Sequence, residues 1–172
     1  MLQLSSRLYN CPVLSLRTGG VIATATEPII NPNNLKIEGF YCLDRFDKKL
    51  SLVLLYQDIR EVIPQGIVVN DHEVLAQQDD IIRLKDLINL HFTLLGKPVV
   101  TESKAKVGKV NDFAVELESM FVQKLYVTQA LRKSLSTSAL SVDRTQIIEI
   151  TDRRIIINDL AQTSSVRAPA VA

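Results

Sequence analysis

The sequence is short of the features that mark membrane, secreted and metal-bound proteins. It has only two cysteines, Cys11 and Cys42, too few for a disulfide scaffold or a zinc site. Its longest apolar runs, such as "LVLLY" at 52–56, fall far below the roughly 20 residues of a membrane helix. The first residues lack a basic segment followed by a long apolar one, so no signal peptide is expected. These absences predict a cytoplasmic protein with reduced thiols and no membrane insertion.

The sequence also has no large excess of positive or negative charge. The net charge is +1 over 172 residues, which provides no overall attraction to nucleic acid or acidic lipid. Hydrophobic residues make up 47% of the chain and charged residues 23%, so a packed core is expected. The length suits one ordinary domain or two small ones.

The chain repeats itself with a spacing of about 86–88 residues. Two pairs of segments align in the same order, "CPVLSLRTGG" with "KPVVTESKAKVG" and "DIREVIPQGIVVND" with "QIIEITDRRIIIND". In this alignment Gly20 falls against Gly108 after a two-residue insertion in the second turn. The other matches are Pro12-Val13 with Pro98-Val99, Glu61 with Glu149, and Asn70-Asp71 with Asn158-Asp159. We therefore predict a first domain over 1–78, a second over 79–160 and a flexible tail over 161–172.

Most segments inside each copy have the pattern of short β-strands. "PVLSLRT" and "PVVTES" follow a proline, and Phe113, Val115 and Leu117 alternate with polar or small residues, which predicts a strand with one buried face. One segment, 79–92, carries apolar residues near helical spacing, with Asp79 and Asp80 as candidate caps. Many short strands in about 80 residues favour a small closed barrel, because closure removes exposed edges. The predicted fold is mainly β, with two tandem small barrels and a short helix at the junction.

The second copy resembles the PRC-barrel domain, a family that includes the cytoplasmic part of the photosynthetic reaction-centre H subunit and the C-terminal domain of the ribosome maturation factor RimM. The family pattern, leucine-glycine-lysine-x-valine and then glycine-x-valine-x-aspartate, is matched by Leu95, Gly96, Lys97, Val99, Gly108, Val110 and Asp112. The first copy departs from it: Tyr9-Asn10-Cys11 replaces leucine-glycine-lysine, and Thr24 stands where Asp112 does. The resemblance covers 80–160 directly and 3–75 through the repeat. It implies two PRC-type barrels with roles in protein interaction, and it specifies no activity.

Several residues invite a chemical interpretation, and for each a plainer one is preferred. Gly108-Lys109 has the ending of a phosphate loop, but Val110 follows instead of serine or threonine, which favours a turn into a strand. His72 and His91 lack companion ligands at metal spacing. Cys11 and Cys42 suit small buried hydrophobes better than a reactive pair. Asp44 and Asp47 alternate with basic residues, which favours a solvated hairpin tip over a paired carboxylate site.

The remaining candidates are basic residues that would contact phosphates if they met on one face. These are Lys104, Lys106, Lys109, Arg132, Lys133, Arg153 and Arg154. No aromatic residues interleave with them as a base-stacking surface requires. We therefore expect a non-catalytic protein-interaction or scaffold module without catalytic, cofactor-binding or metal-binding residues, with an unidentified protein partner and a monomeric state. The alternative is an accessory role in ribosome assembly or RNA maturation.

Overall fold

A computed structural model describes residues 1–129 and 138–159 of the chain. The described part is mainly β, as the sequence predicted. It divides into two compact units, the first formed by Met1–Phe92 and Val115–Phe121, the second by 93–114, 122–129 and 138–159. Arg132, Lys133 and the tail over 161–172 lie outside the described residues, and the division at residue 78 stays a prediction.

Seven of the eight strands in the first unit follow one hydrogen-bonded path. Its strands are β1 (Leu2–Leu4), β2 (Cys11–Ser15), β3 (Val21–Asn31), β4 (Lys36–Asp44), β5 (Ser51–Leu55), β6 (Ile59–Ile63), β7 (Gly66–Val69) and β8 (Leu75–Gln77). The path runs β6-β7-β2-β3-β4-β5-β8, and all its pairs are antiparallel except β2 with β7. Within the described residues the path stays open, because β6 pairs only with β7 and β8 only with β5.

The second unit repeats this path with one strand fewer. Its strands are β9 (Pro98–Thr101), β10 (Lys106–Glu116), β11 (Phe121–Gln129), β12 (Ser138–Asp143), β13 (Ile147–Ile150) and β14 (Ile155–Ile157). They pair in the order β13-β14-β9-β10-β11-β12, again with one parallel pair, β9 with β14. The tip of the β10–β11 hairpin, Val115–Phe121, belongs to the first unit. Closed barrels are therefore not seen in the described strands, and the sheet is open.

The strand registers correct the alignment of the two copies. Pro12 pairs with Thr24, whereas Pro98 pairs with Lys109, so the strand residue equivalent to Gly108 is Ala23 and not Gly20. β3 and β10 both have 11 residues and β4 and β11 both have nine, which fixes one constant offset across the hairpin. The second turn is therefore shorter by one residue, instead of longer by two.

Residues with positive φ confirm the corrected offset. Leu35 and Met120 end the two long hairpin turns with φ of 58° and 56°. Gly19 and Lys104 hold the shorter turns with φ of 69° and 66°. A lysine in this left-handed region is uncommon, so the turn geometry is imposed by the flanking strands and not by the local sequence.

The strict alternation expected along 113–117 is wrong. Phe113, Ala114 and Val115 are all buried, so this stretch of β10 is covered on both faces. The equivalent stretch of β3 behaves in the same way, with Ile29 and Ile30 both buried. For Ile29 the second cover is visible, since it packs with the apolar residues of segment 79–92.

Segment 79–92 is not the single helix that its spacing predicts. It contains two 3-10 turns and one short helix, α1 (Lys85–Leu90). Ile81 has φ −96° and ψ 80°, which interrupts the helix, and β-branched Ile81-Ile82 disfavours helical backbone there. Asp79 and Asp80 therefore lie too early to cap α1, which has no side-chain cap. Within the described residues, no helix is both long and apolar enough to cross a bilayer.

The apolar residues of this segment nevertheless have the role that their spacing indicates. Ile81, Leu84 and Ile88 are buried against Ile29 and Val53 on the first unit's sheet. His91 instead stands exposed at the C-terminal end of α1 with φ 45°. The segment covers one face of the sheet. Its apolar side chains are buried as their spacing predicts, although the backbone is only partly helical.

Gly108 lies inside β10 and not in a turn, which also removes the phosphate-loop interpretation. Its partner in the register is Val99, and Lys109 faces Pro98. A Cβ at Gly108 would stand 2.1 Å from the carbonyl oxygen of Thr128. The close approach of neighbouring backbones, and not phosphate chemistry, accounts for glycine at this position.

Gly108→Ala should lower the free energy of unfolding by about 1–3 kcal/mol, because the methyl group must displace backbone atoms. Gly20→Ala is the matched control, since its Cβ would meet only Thr18 Oγ1 at 3.9 Å. We expect the control to change stability by less than about 1 kcal/mol. Urea denaturation of both variants measures this, and equal losses would contradict the assigned close contact.

Candidate functional site

A cleft of about 470 Å³ follows β6 in the first unit. One wall consists of Gln57 and residues 59–62, and the other of Met1, Leu117, Glu118 and Met120. Successive strand residues point to opposite faces of a sheet, so a cleft lined by four consecutive residues runs along the strand edge. We call it the β6 cleft. Because β6 pairs only with β7 among the described strands, this edge offers backbone donors and acceptors to the cleft.

Tyr56 lies at one end of the β6 cleft, where contacts on its hydroxyl and its ring hold it in place. Its hydroxyl donates a hydrogen bond to the Glu118 carbonyl oxygen at 2.8 Å. The Lys36 ammonium lies over the Tyr56 ring, 4.7 Å from its centroid, and 5.9 Å from the centroid of Phe121. Phe121 and Lys36 also pair as strand residues. These contacts hold the 117–121 turn, and with it one cleft wall, in place.

A second cleft of about 570 Å³ shares Tyr56 and Gln57 with the first. Its other lining residues include Lys36, Glu38, Arg83, Leu84, Asp86 and Leu87. Arg83 donates to Gln57 Oε1 at 3.1 Å, so Gln57 is oriented by the segment that precedes α1. The two clefts thus meet at Tyr56 and Gln57, and both belong to the first unit.

The charges along the β6 cleft are mixed. Arg60 and Glu61 stand exposed on the strand, and Glu118 stands exposed opposite them. Arg60 Nε donates to Asn70 Oδ1 at 2.8 Å, which turns this guanidinium towards the end of β7. A bound segment would therefore meet backbone groups, two carboxylates and one oriented cation.

The aspartate of the repeated Asn-Asp pair fastens the end of the late strand in each parallel pair, and we call this contact the aspartate clamp. Asp71 accepts hydrogen bonds from the His72 amide at 2.7 Å, Arg17 at 2.7 Å and Ser15 Oγ at 3.4 Å. These contacts lower the pKa of Asp71, with the His72 amide contributing most. The bonds from Ser15 and Arg17 tie the chain after β7 to the end of β2, its parallel neighbour.

Asp159 repeats the clamp in the second unit. Ser103 Oγ donates to Asp159 Oδ1 at 2.8 Å, and hydrogen bonds from Ser103 and Thr101 lower the pKa of this carboxyl group. The backbone repeats it too, since Leu16 N donates to Val69 O and Glu102 N to Ile157 O. The sequence matched these aspartates without indicating their partners.

Asp44 corrects the interpretation of a solvated hairpin tip. It is only 5% exposed, and its Oδ1 lies 3.0 Å from His72 Nε2, which must donate because a carboxylate only accepts. Phe46 packs its ring 5.9 Å from that of His72 and donates its amide to Asp44 at 3.3 Å. Asp47, in contrast, is exposed and accepts the Lys49 amide. A buried carboxylate and a histidine from distant segments therefore join β4 to the residues after β7.

The pKa of Asp44 reflects two opposed effects. Burial alone would raise it, but the hydrogen bond from His72, the Phe46 amide and the charge of His72 together lower it. The pair has no counterpart in the described part of the second unit, where Gln129 takes the place of Asp44. Nothing in the sequence joins residues 44 and 72, so only the folded chain reveals this contact.

The two cysteines are buried and separate. Ala25 pairs with Cys11 on one side and with Cys42 on the other, which puts the two Cα atoms roughly 10 Å apart. Such a separation is too long for a disulfide. Burial raises the pKa of Cys42 to about 12 and that of Cys11 above its usual value. The interpretation as small buried hydrophobes is confirmed.

Of the seven candidate basic residues, the five that the structure describes lie in the second unit and are exposed. Lys104 holds the β9–β10 turn, Lys106 and Lys109 lie on β10, and Arg153 and Arg154 lie in the β13–β14 turn. The Lys97 ammonium donates to the Asp152 carbonyl oxygen at 2.7 Å, which draws this turn against the start of β9. Burial lowers the pKa of Lys97.

Over residues 1–129 and 138–159, no cluster of histidine, cysteine, aspartate or glutamate has the arrangement of a metal site. The sequence missed the β6 cleft because its walls come from residues far apart in the chain. The match between Glu61 and Glu149 was the one available signal that these strands lie at a sheet edge, because charged residues are common on edge strands. No protein-family model matches the chain. A search of curated proteins finds no relative either.

Asp44→Asn should cost about 1–3 kcal/mol of stability near pH 7, because it removes a charged, buried hydrogen-bond acceptor. A folded-state pKa below the unfolded value of about 3.9 contributes stability above that pH and loses it as the pH falls. The gap between wild type and variant should therefore shrink below about pH 4.

Urea denaturation of both proteins measures this difference in stability. The series runs from about pH 3 to about pH 7 in steps of about one unit, which spans the titration of a carboxyl group. Asp47→Asn is the control, and its exposed site should leave stability within about 0.5 kcal/mol throughout. A gap for Asp44→Asn that stays constant down to the lowest pH would show that its charge is not what matters.

Proposed function

We propose that the chain consists of two tandem PRC-type barrels that act as a non-catalytic protein-interaction module in the cytoplasm. Two features support the family. Gly96 of the leucine-glycine-lysine motif has φ 78°, and its amide donates to Val110, in the second family motif. In the first copy Asn10 has φ 53° and donates to Thr26. Asparagine tolerates this left-handed conformation, so the departure at 9–11 is compatible with the same turn.

The open sheet is compatible with a PRC-type barrel in which an early and a late strand pair in parallel and the two end strands of the path keep a free edge. The buried thiols Cys11 and Cys42 support a reducing compartment. Both units preserve the same registers and the same aspartate clamp, which supports duplication of one domain. On this proposal neither copy needs chemistry of its own.

The site of interaction on this proposal is the β6 cleft, and its occupant is an extended segment of a partner protein. The observation that carries it is the free edge of β6 beside a cleft of about 470 Å³. An added strand gains main-chain hydrogen bonds from the edge and selectivity from flanking side-chain pockets. The second cleft, beyond Tyr56, would receive the continuation of the same segment.

Arg60 and Glu61 restrict which partner segments can pair with the edge of β6. Exposed charges on an edge strand disfavour uncontrolled pairing with other strands. A partner must therefore offset both charges, and Glu118 on the opposite wall adds a third. The predicted partner segment is extended and apolar at alternate positions, and it carries at least one cation to meet the two carboxylates.

A photo-crosslinking amino acid at position 61 tests this proposal in the native cytoplasm. We expect one discrete crosslinked protein, whose crosslinked peptide is extended and includes a lysine or arginine. The control places the same amino acid at Lys49, which is exposed in the β4–β5 turn and does not line the β6 cleft. Identical products from both positions, or none from position 61, would reject the site.

Leu117→Asp in the crosslinking protein should reduce the yield from position 61 at least about tenfold, because it adds a carboxylate beside Glu118 and removes apolar contact area. Leu16→Asp is the matched control, since Leu16 is 64% exposed on a turn outside the cleft. Thermal melting shows whether each variant is folded. Undiminished crosslinking in a folded Leu117→Asp variant would contradict binding along this wall.

A further inference from the structure

The exposed basic residues of the second unit are brought onto one surface by the strand registers. Ile155 pairs with Val99, so the preceding Arg154 continues in line with Pro98, which pairs on its other side with Lys109. Strands are about 4.8 Å apart, so the Cα atoms of Arg154 and Lys109 are roughly 10 Å apart. The hydrogen bond from Lys97 to Asp152 supports this position of the turn independently.

A second row lies parallel to the first. Ile156 pairs with Val100, and Val100 pairs with Lys106. Lys104 lies in the adjoining β9–β10 turn, and Arg153 precedes Arg154 in the β13–β14 turn. We call the surface formed by Lys104, Lys106, Lys109, Arg153 and Arg154 the basic face.

Burial shows that both rows point away from the core. Val99, Val107, Val110, Ile155 and Ile157 are buried, whereas Pro98, Lys106, Lys109 and Arg154 between them are exposed. The nearby acidic side chains by sequence, register and hydrogen bonding are Glu102, Glu149, Asp152 and Asp159, the last bonded to Ser103 beside Lys104. The five cations outnumber these four carboxylates, and within the described residues none of the five is ion-paired.

We propose that the basic face binds RNA through its phosphate backbone. Cations spread over two rows of a sheet match a chain of regularly spaced phosphates better than one concentrated anion. The apolar residues between them, Pro98, Val100 and Ile156, are aliphatic, so bases have no ring to stack on. Binding is therefore electrostatic and insensitive to base sequence. This activity is separate from the β6 cleft, which lies in the first unit.

The charge count sets the salt dependence. If all five cations neutralise phosphates of a single strand, log Kobs falls with log salt with a slope of about −3.5. Fewer contacts reduce the slope in proportion. Affinity of this kind is in the range of about 1–100 µM at physiological salt.

The test is fluorescence anisotropy of a labelled oligouridylate of about 30 nucleotides with the full chain, over about 50–300 mM NaCl. Lys106→Gln/Lys109→Gln/Arg154→Gln should weaken binding at least tenfold at low salt and reduce the slope by about 2. Lys48→Gln/Lys49→Gln/Lys85→Gln is the matched control: these lysines are exposed in the first unit, and their loss changes the net charge equally. The control should stay within about twofold of wild type.

Three results would overturn the proposal. One is no binding at low salt up to about 100 µM protein. Another is an equal loss in both triple variants, which would show that net charge and not the basic face attracts RNA. The third is displacement of the oligouridylate by polyglutamate at equal charge concentration, which would assign the basic face to an acidic protein instead. Because Leu117→Asp leaves the basic face intact, unchanged RNA binding by that variant separates this proposal from the β6 cleft.

Discussion

The parallel pairing between an early and a late strand is the interaction on which each unit depends. Val13 pairs with Ile67 in the first unit and Val99 with Ile155 in the second. Every other neighbour along each path is antiparallel and joined by a hairpin or a short connection, except for the final β8. Long-range closure costs chain entropy, but that cost rises only about 0.6 kcal/mol per doubling of the loop. Burial of Val13, Ile67, Val99 and Ile155 opposes it.

The aspartate clamps and the free edges are consequences of this pairing. Asp71 and Asp159 secure the chain where the late strand leaves its parallel neighbour. The strand that precedes each late strand, β6 or β13, is then left at the outside of the path. Arg60 stands exposed on β6, and Ile148, 51% exposed, occupies the equivalent place on β13. The two copies thus share a framework and differ in the side chains that their edge strands expose.

Sequence patterns predicted the features that depend on composition and local order. The β class, the repeat and the apolar residues of 79–92 follow from residue type and spacing. The register was wrong, because Gly20 and Gly108 look alike although one occupies a turn and the other a strand. Likewise, the hydrogen bond of buried Asp44 comes from His72, which is 28 residues away in the chain, so no local pattern indicates it. The β6 cleft depends on contacts between residues 56–62 and 117–120, and no local pattern reports such contacts.

Two-dimensional NOE spectroscopy of the labelled chain tests the repeated parallel pairing most directly. We predict cross-strand contacts of parallel geometry between residues 13–15 and 67–69, and the same set between 99–101 and 155–157. Both sets should persist up to the denaturant concentration at which the respective unit unfolds. A set found in only one unit, or found with the register shifted by one residue, would contradict the duplication of a single domain.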